Sequence, residues 1–275
     1  MTWMAQEPSP KRLTVAGWLR ALLRGAVLVA LLYGGLVLML VLRLIERPLH
    51  GLNRPWTPYI TQVVCRLTFP VLGLGYRVRG RPMAHIGAVV ANHGSWLDIF
   101  ALNACQTLYF VSKAEVARWP MIGWLARATG TVFIRRDPRE AKLHQQLFED
   151  RLRAGHHLLF FPEGTSTDTR RVLSFKPTLF AAFFSHGLER ILQIQPVTLI
   201  YHPPPGEDVR FYGWWGEMGF GPHLLKVLAQ RRQGSVEIVF HDPLDAAQFT
   251  SRKALALRSE EAVRAGLPYA DETER

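Results

Sequence analysis

Asn92-His93-Gly94-Ser95-Trp96-Leu97-Asp98 places a histidine and a carboxylate with four residues between them, directly after the β-prone run Gly87-Ala88-Val89-Val90-Ala91. A carboxylate bonded to one imidazole nitrogen fixes the tautomer, leaves the other nitrogen free as a base, and stabilises the imidazolium that forms. That is the orienting half of a catalytic triad. A nucleophilic serine is not needed when a substrate hydroxyl supplies the attacking oxygen. A plainer reading stays open, in which Ser95 and Asp98 are only a capping box and His93 is a satisfied turn histidine.

The elements around these residues decide whether they can meet. Gly87 to Ala91 reads as a short buried strand, and Ser95 as the N-cap of the helix that follows, because its hydroxyl can accept from the first free backbone N–H groups. His93 then lies in the turn and Asp98 in the first helical turn. In open α/β sheets that crevice, beyond the carboxyl ends of the strands, is where ligands bind. Strands are expected at 107–112, 131–134, 157–161, 194–201 and 235–241. Helices are expected at 95–105, 115–128 with a break at Pro120, 139–154 and 176–187. This alternation predicts an α/β fold: a mixed, largely parallel sheet covered by helices.

Further candidates fall at other strand ends. Lys113 and Arg136 place cations where a headgroup phosphate could lie, and arginine's planar fork matches phosphate oxygens. Arg135 and Arg139 read instead as a solvated basic turn. In Phe161-Pro162-Glu163-Gly164-Thr165 the proline ends a strand and the glycine permits a tight turn. That turn pushes Glu163 toward the crevice, where it would bond to acceptor hydroxyls or hold a neighbouring cation. Pro196 is expected to shape an edge strand.

With 275 residues, 48% of them hydrophobic, the chain can bury a sizeable core, and its net charge of +11 calls for an anionic partner. Cys65 and Cys105 stand alone, so neither a disulfide framework nor a zinc site is indicated. No Gly-x-Ser-x-Gly elbow, Walker A loop, Gly-x-Gly-x-x-Gly fingerprint or His-Glu-x-x-His helix occurs, which removes α/β-hydrolase, nucleotide and zinc-protease chemistry. From Gly25 to Leu42 the chain carries no charge, enough to span a bilayer core. A second apolar stretch, Tyr59 to Tyr76, is broken by Arg66 and Pro70. Together they suggest a helical hairpin dipping into the membrane, with a single span as the alternative. Residues 1–76 are thus read as a membrane-associated helical region and 77–275 as the α/β domain. The segment Phe211 to Phe220, rich in tryptophan and glycine, fits an interfacial loop, an acyl-chain wall or a core aromatic cluster. Phe220 to Arg232 and Arg252 to Arg264 read as helices.

Four segments, Asn92 to Asp98, Gly130 to Arg136, Phe161 to Thr165 and Gln195 to Thr198, resemble in order and spacing the motif blocks of the glycerolipid (1-acylglycerol-3-phosphate type, PlsC-like) acyltransferase family. The resemblance covers roughly Ile86 to Leu199. It implies acyl transfer from a fatty acyl thioester to the free hydroxyl of a lysolipid. His93 and Asp98 would be catalytic, and Lys113, Arg136, Glu163, Gly164 and Thr165 substrate-binding, with backbone N–H groups near Gly94 or Gly164 as oxyanion donors. It further implies no metal or cofactor beyond an acyl carrier protein or coenzyme A thioester as co-substrate, no nucleic acid, and a place at the cytoplasmic face of the inner membrane. The acceptor expected first is 1-acylglycerol-3-phosphate, giving phosphatidic acid. Many members carry an arginine two residues after the motif glycine, where it is thought to hold the acceptor's phosphate. Here Ser166 stands there, followed by Thr167 and Asp168. With Trp214 to Met218 ahead of Pro222-His223-Leu224, that pattern is similar to the lyso-ornithine-lipid acyltransferase branch, so ornithine lipid synthesis, or an enzyme serving both acceptors, is the alternative. A non-enzymatic basic membrane-binding protein would leave His93 and Asp98 idle.

Overall fold

The computed structural model describes residues 3–8, 12–135, 139, 141–184 and 192–269. The chain opens with helix α1 (Val15–His50) and helix α2 (Thr57–Leu72), folded back on each other. The buried Glu46 carboxylate ties their connection down: it accepts from the Trp56 and Thr57 N–H groups, the Thr57 hydroxyl and the Arg43 guanidinium. α1 is long and apolar enough to cross a membrane, and only 17% of its most apolar 18-residue window is buried. Exposed Leu19, Leu22, Leu23, Leu38 and Leu44 make it a membrane-associating element. The helix outruns its charge-free stretch because its arginines bond back to the protein. Arg20 and Arg24 donate to the carbonyls of Leu228, Ala229 and Gln230 at the end of a later helix.

Eight strands follow: β1 (Gly75–Arg79), β2 (Gly87–Ala91), β3 (Tyr109–Lys113), β4 (Val132–Ile134), β5 (Leu158–Phe160), β6 (Gln193–His202), β7 (Ser235–Phe240) and β8 (Leu244–Asp245). They form one sheet in the order β1-β7-β6-β2-β5-β3-β4, with β8 paired to β6. All pairings are parallel except those of β6 with β7 and β8. The mixed, largely parallel sheet expected from the alternation is thus present. Its helices are α3 (Leu97–Cys105), α4 (Ile122–Ala128), α5 (Ala141–Arg153), α6 (Phe220–Ala229) and α7 (Arg252–Ala265). Both faces are covered, as the alternation along β2 records. Val89 and Ala91 pack with residues of α2, α3 and α6, while Ala88 and Val90 pack with Leu152, Phe180 and Leu255.

Four details differ from the sequence reading. β1 was hidden at the end of an apolar stretch read as helical; as an edge strand with exposed side chains it has no buried alternation to betray it. α3 starts at Leu97, so Ser95 lies ahead of the cap position, its hydroxyl accepting from the Leu97 N–H at 3.3 Å. Of the segment expected as helix at 176–187, the described part is a 3-10 run at Pro177–Phe184, and 185–187 lie outside the described residues. Pro196 is not on an edge strand. β6 lies between β2 and β7, and Pro196 falls where β7 has stopped pairing at Val197 and β8 begins at Ile194, so no ladder donor is required on that side.

Candidate active site

β2 carries its direction past its last residue through Asn92. That side chain accepts from the Leu199 N–H at 2.8 Å and donates to the Leu199 carbonyl at 3.0 Å, continuing the contact with β6 by other means. The next peptide group, that of His93, is gripped from both ends. Its N–H donates to Glu163 Oε1 at 2.7 Å, and its carbonyl accepts from the Thr167 N–H at 2.8 Å. The imidazole lies flat against Phe161, with ring centroids 4.1 Å apart and planes 12° from parallel.

His93 Nδ1 is 2.7 Å from Asp98 Oδ2. The same oxygen accepts from the N–H groups of Gly94 and Ser95 at 2.9 and 3.0 Å, and Oδ1 accepts from the Tyr201 hydroxyl at 2.6 Å. Capping box and catalytic orienter, posed as rivals by the sequence, are one arrangement. All of these partners can donate, the pattern an ionised carboxylate accepts. With the Nδ1 proton held on Asp98, the lone pair of a neutral ring belongs to Nε2. Nε2 makes no hydrogen bond among the described residues, and the side chain keeps 21% exposure beside a fully buried Asp98. Burial, then the neighbouring Asp98 charge, pushes the Tyr201 phenol well above its ordinary range, so it remains a donor.

Close packing of other loops keeps this turn in shape. A Cβ on Gly94 would stand 2.5 Å from the Thr169 methyl, and the Gly94 carbonyl accepts from the Trp214 N–H at 2.8 Å. Only glycine lets the turn slide between those loops. Trp96 donates to His223 Nδ1 at 2.9 Å, and burial lowers His223 to about 3, which keeps it a neutral acceptor. The aromatic segment is divided in function. Phe211, Tyr212 and Trp215 are core, whereas Trp214 and Phe220 are half-buried against Trp96, Trp119 and each other.

The other expected site residues are spread along the same sheet edge. Glu163 is buried, and its second oxygen accepts from the Leu173 N–H at 2.8 Å, so both oxygens hold backbone instead of reaching into the crevice. Burial raises its carboxyl to about 8 despite those two bonds. Gly164 has φ +72°, and a Cβ there would meet Lys176 Nζ at 2.5 Å. Oxyanion donors are expected near Gly94 or Gly164; the N–H groups of these two glycines themselves are engaged by Asp98 and by the Phe161 carbonyl. Thr165 is half-buried, next in the same turn. Lys113 is exposed at the end of β3, in register with Ile134. Arg136 lies outside the described residues. Three participants were not assigned from sequence: Asn92, Tyr201 and Lys176. Asp168, two residues past Ser166, takes a two-pronged bond from Arg171 at 3.2 and 3.0 Å.

The same stretch is where the chain is like known proteins. Residues 77–200 match the Acyltransferase family model. The chain is 66% identical over 266 residues to a lyso-ornithine lipid O-acyltransferase of Rhodobacter capsulatus, covering 96% of each protein. It is 31% identical over 179 residues to a 1-acyl-sn-glycerol-3-phosphate acyltransferase of Neisseria gonorrhoeae, covering 64% of this chain and 68% of that one. The crystal structure of the PlsC acyltransferase of Thermotoga maritima superposes with a TM-score of 0.66 at 22% identity, over 94% of this chain and 97% of that one, a likeness of fold. With a sheet edge that presents an acid-oriented histidine and a relative matched nearly end to end, this chain belongs to the glycerolipid, PlsC-like acyltransferase family, whose members acylate lysolipids.

Proposed function

We propose that this protein is a lyso-ornithine lipid O-acyltransferase, transferring a fatty acyl group from a carrier-protein or coenzyme A thioester to the acceptor's free hydroxyl at the cytoplasmic face of the inner membrane. His93 Nε2 takes the hydroxyl proton as the oxygen attacks the thioester carbonyl. Asp98 holds the ring and stabilises its charged form, and the thiolate leaves with the proton returned from His93. The N–H groups of Thr165 and Ser166 make no hydrogen bond among the described residues and immediately precede the Thr167 clasp on His93, which suits them to a developing oxyanion. The apolar α1 would bring this edge to the bilayer, and the chain's charge of +11 suits an anionic carrier.

The observation that carries the acceptor is the 66% identity over nearly the full length to the Rhodobacter capsulatus enzyme. Asp168 supports it. Its carboxylate neutralises Arg171 beside the catalytic turn, and an ornithine headgroup lacks the phosphate that would compete for that arginine. A lysophosphatidate reading keeps one observation of its own, since Lys176 Nζ, lying over Gly164, makes no ion pair among the described residues and could face a phosphate. Purified protein given an acyl thioester with either acceptor separates the two. Ornithine lipid as the main product is expected. Phosphatidic acid as the main product, with little ornithine lipid, would reverse the assignment.

A further inference from the structure

The strands that carry His93 and Glu163 at their carboxyl ends have a second edge, where two arginines, Arg54 and Arg151, make no ion pair among the described residues. A cavity of about 110 Å³ opens at the amino ends of β3 and β5, lined by Arg54, Tyr59, Thr107, Tyr109, His156 and His157. That is several times the ~30 Å³ share of one water molecule. Arg54 comes from the α1–α2 connection and Arg151 from the last turn of α5. Their guanidinium carbons lie 6.0 and 5.5 Å from the centroid of one ring, Tyr109, on which His156 also stacks at 4.1 Å. Arg54 donates to the Ala128 carbonyl, and Arg151 donates to the Gly130 carbonyl and meets His156 Nδ1 at 3.3 Å. These contacts fix the guanidinium planes without neutralising them.

No carboxylate pairs with Arg54 or Arg151 among the described residues. The nearest acid to act on Arg54, Glu46, spends its oxygens on Arg43, Trp56 and Thr57. Burial and neighbouring arginines lower both guanidinium groups from their ordinary values, and burial with the two arginine charges lowers His156 to about 4. Both arginines are half-buried; charge drawn partly out of water without a counter-charge is costly, and a bound anion is the ordinary remedy. An arginine fork matches phosphate oxygens. The surroundings name the source: exposed Tyr59 lines the cavity, exposed Leu49, Leu52 and Trp56 lie within a few residues of Arg54 in the chain at the end of the apolar helix, and tryptophan and tyrosine settle at headgroup depth.

We propose that the Arg54 cavity binds the phosphate of an anionic phospholipid headgroup, a lipid site at the edge of the sheet opposite His93 and distinct from the acceptor site. Occupied, it would tie the helical hairpin to the domain through the Arg54 bond to α4, so that lipid composition sets how firmly the enzyme sits on its membrane.

The test uses the full chain in a neutral, phosphate-free maltoside detergent. Its thermal midpoint is followed against short-chain phosphatidylglycerol, short-chain diacylglycerol and inorganic phosphate. Phosphatidylglycerol is expected to raise the midpoint saturably, and diacylglycerol to leave it unchanged. Arg54→Ala should weaken the apparent affinity at least about tenfold, the loss of one charge-assisted bond, with a lower starting midpoint because Ala128 loses its donor. Thr107→Asp supplies an internal carboxylate against Arg54, so the fold should be kept and the phosphatidylglycerol response lost. His93→Ala should retain the full response. An undiminished response in Thr107→Asp overturns the site. A response lost in His93→Ala assigns the binding to the catalytic edge instead, and an equal response to inorganic phosphate overturns the lipid source.

Discussion

Asp98 and Glu163 are 0% and 2% exposed, reach His93 from the first turn of α3 and from the turn after β5, and grip different parts of it. Asp98 holds the ring and Glu163 the backbone N–H. Asp98 gathers two backbone N–H groups, a tyrosine hydroxyl and the imidazole. Among the described residues Glu163 has two backbone N–H groups only, and burial together with the Asp98 charge keeps its proton on up to about pH 8. Equal burial therefore does not mean equal charge. Donor count decides which acid carries the negative charge beside the imidazole and which acts as a strut.

The comparison is broken most severely by removing what both acids hold. His93→Ala should lower acyl transfer by about 10⁴-fold with a nearly unchanged thermal midpoint, since the general base is lost while both acids keep backbone partners. Product formation with less than tenfold loss would end the base assignment. Asp98→Asn comes next, at about 10³-fold in kcat, because an amide both presents the wrong tautomer partner and cannot accept from every donor now on Asp98. A loss confined to KM would show that Asp98 only shapes the turn.

Glu163→Gln should behave differently, with kcat within about tenfold and the main effect in stability. A carboxyl whose folded pKa lies near 8, above the unfolded value near 4.3, binds more protons folded than unfolded between those values. Its contribution is therefore full below about pH 4.3 and declines as pH rises toward 8. The slope is at most about 1.4 kcal/mol per pH unit. Urea unfolding across that range should show wild-type stability falling with pH and a shallower fall in Glu163→Gln. Glutamine accepts only one of the two N–H groups well, so the variant starts about 1–3 kcal/mol less stable at low pH. Parallel pH profiles for the two proteins would place the titration elsewhere.

The two acids were not equally legible in the sequence. Asp98 could be paired with His93 because the contact is local, a turn and the first coil of a helix. Glu163 is 70 residues from His93, and its motif position said which loop carries it without saying that the carboxyl turns inward to backbone. β2, the α/β alternation and the apolar α1 were readable because each writes its burial into a periodic pattern. β1 was not, since an exposed edge strand bearing Arg77 and Arg79 leaves no such pattern. Asn92 and Tyr201 escaped for the same reason as Glu163: their partners are 107 and 103 residues away, and composition carries no record of a contact closed by the sheet.

Tyr201 offers the smallest and sharpest perturbation of the contrast. Its hydroxyl is, among the described residues, the donor that Asp98 draws from β6, at 2.6 Å. Tyr201→Phe keeps the ring packed against Tyr212 and deletes that bond together with the hydroxyl's contact with the Ser95 side chain. A buried carboxylate oxygen left without its donor costs about 1–3 kcal/mol, part of which should appear as reduced stability. The remainder should appear in catalysis, because a less satisfied Asp98 pulls harder on the His93 proton and raises the ring's basicity. kcat should fall about three- to tenfold at neutral pH, KM should stay within twofold, and the acid limb of the pH–rate profile should move to higher pH. A structural tyrosine would lower the thermal midpoint and leave that profile where it was, so an unmoved profile would confine Tyr201 to packing and leave the ring-holding acid with its local donors alone.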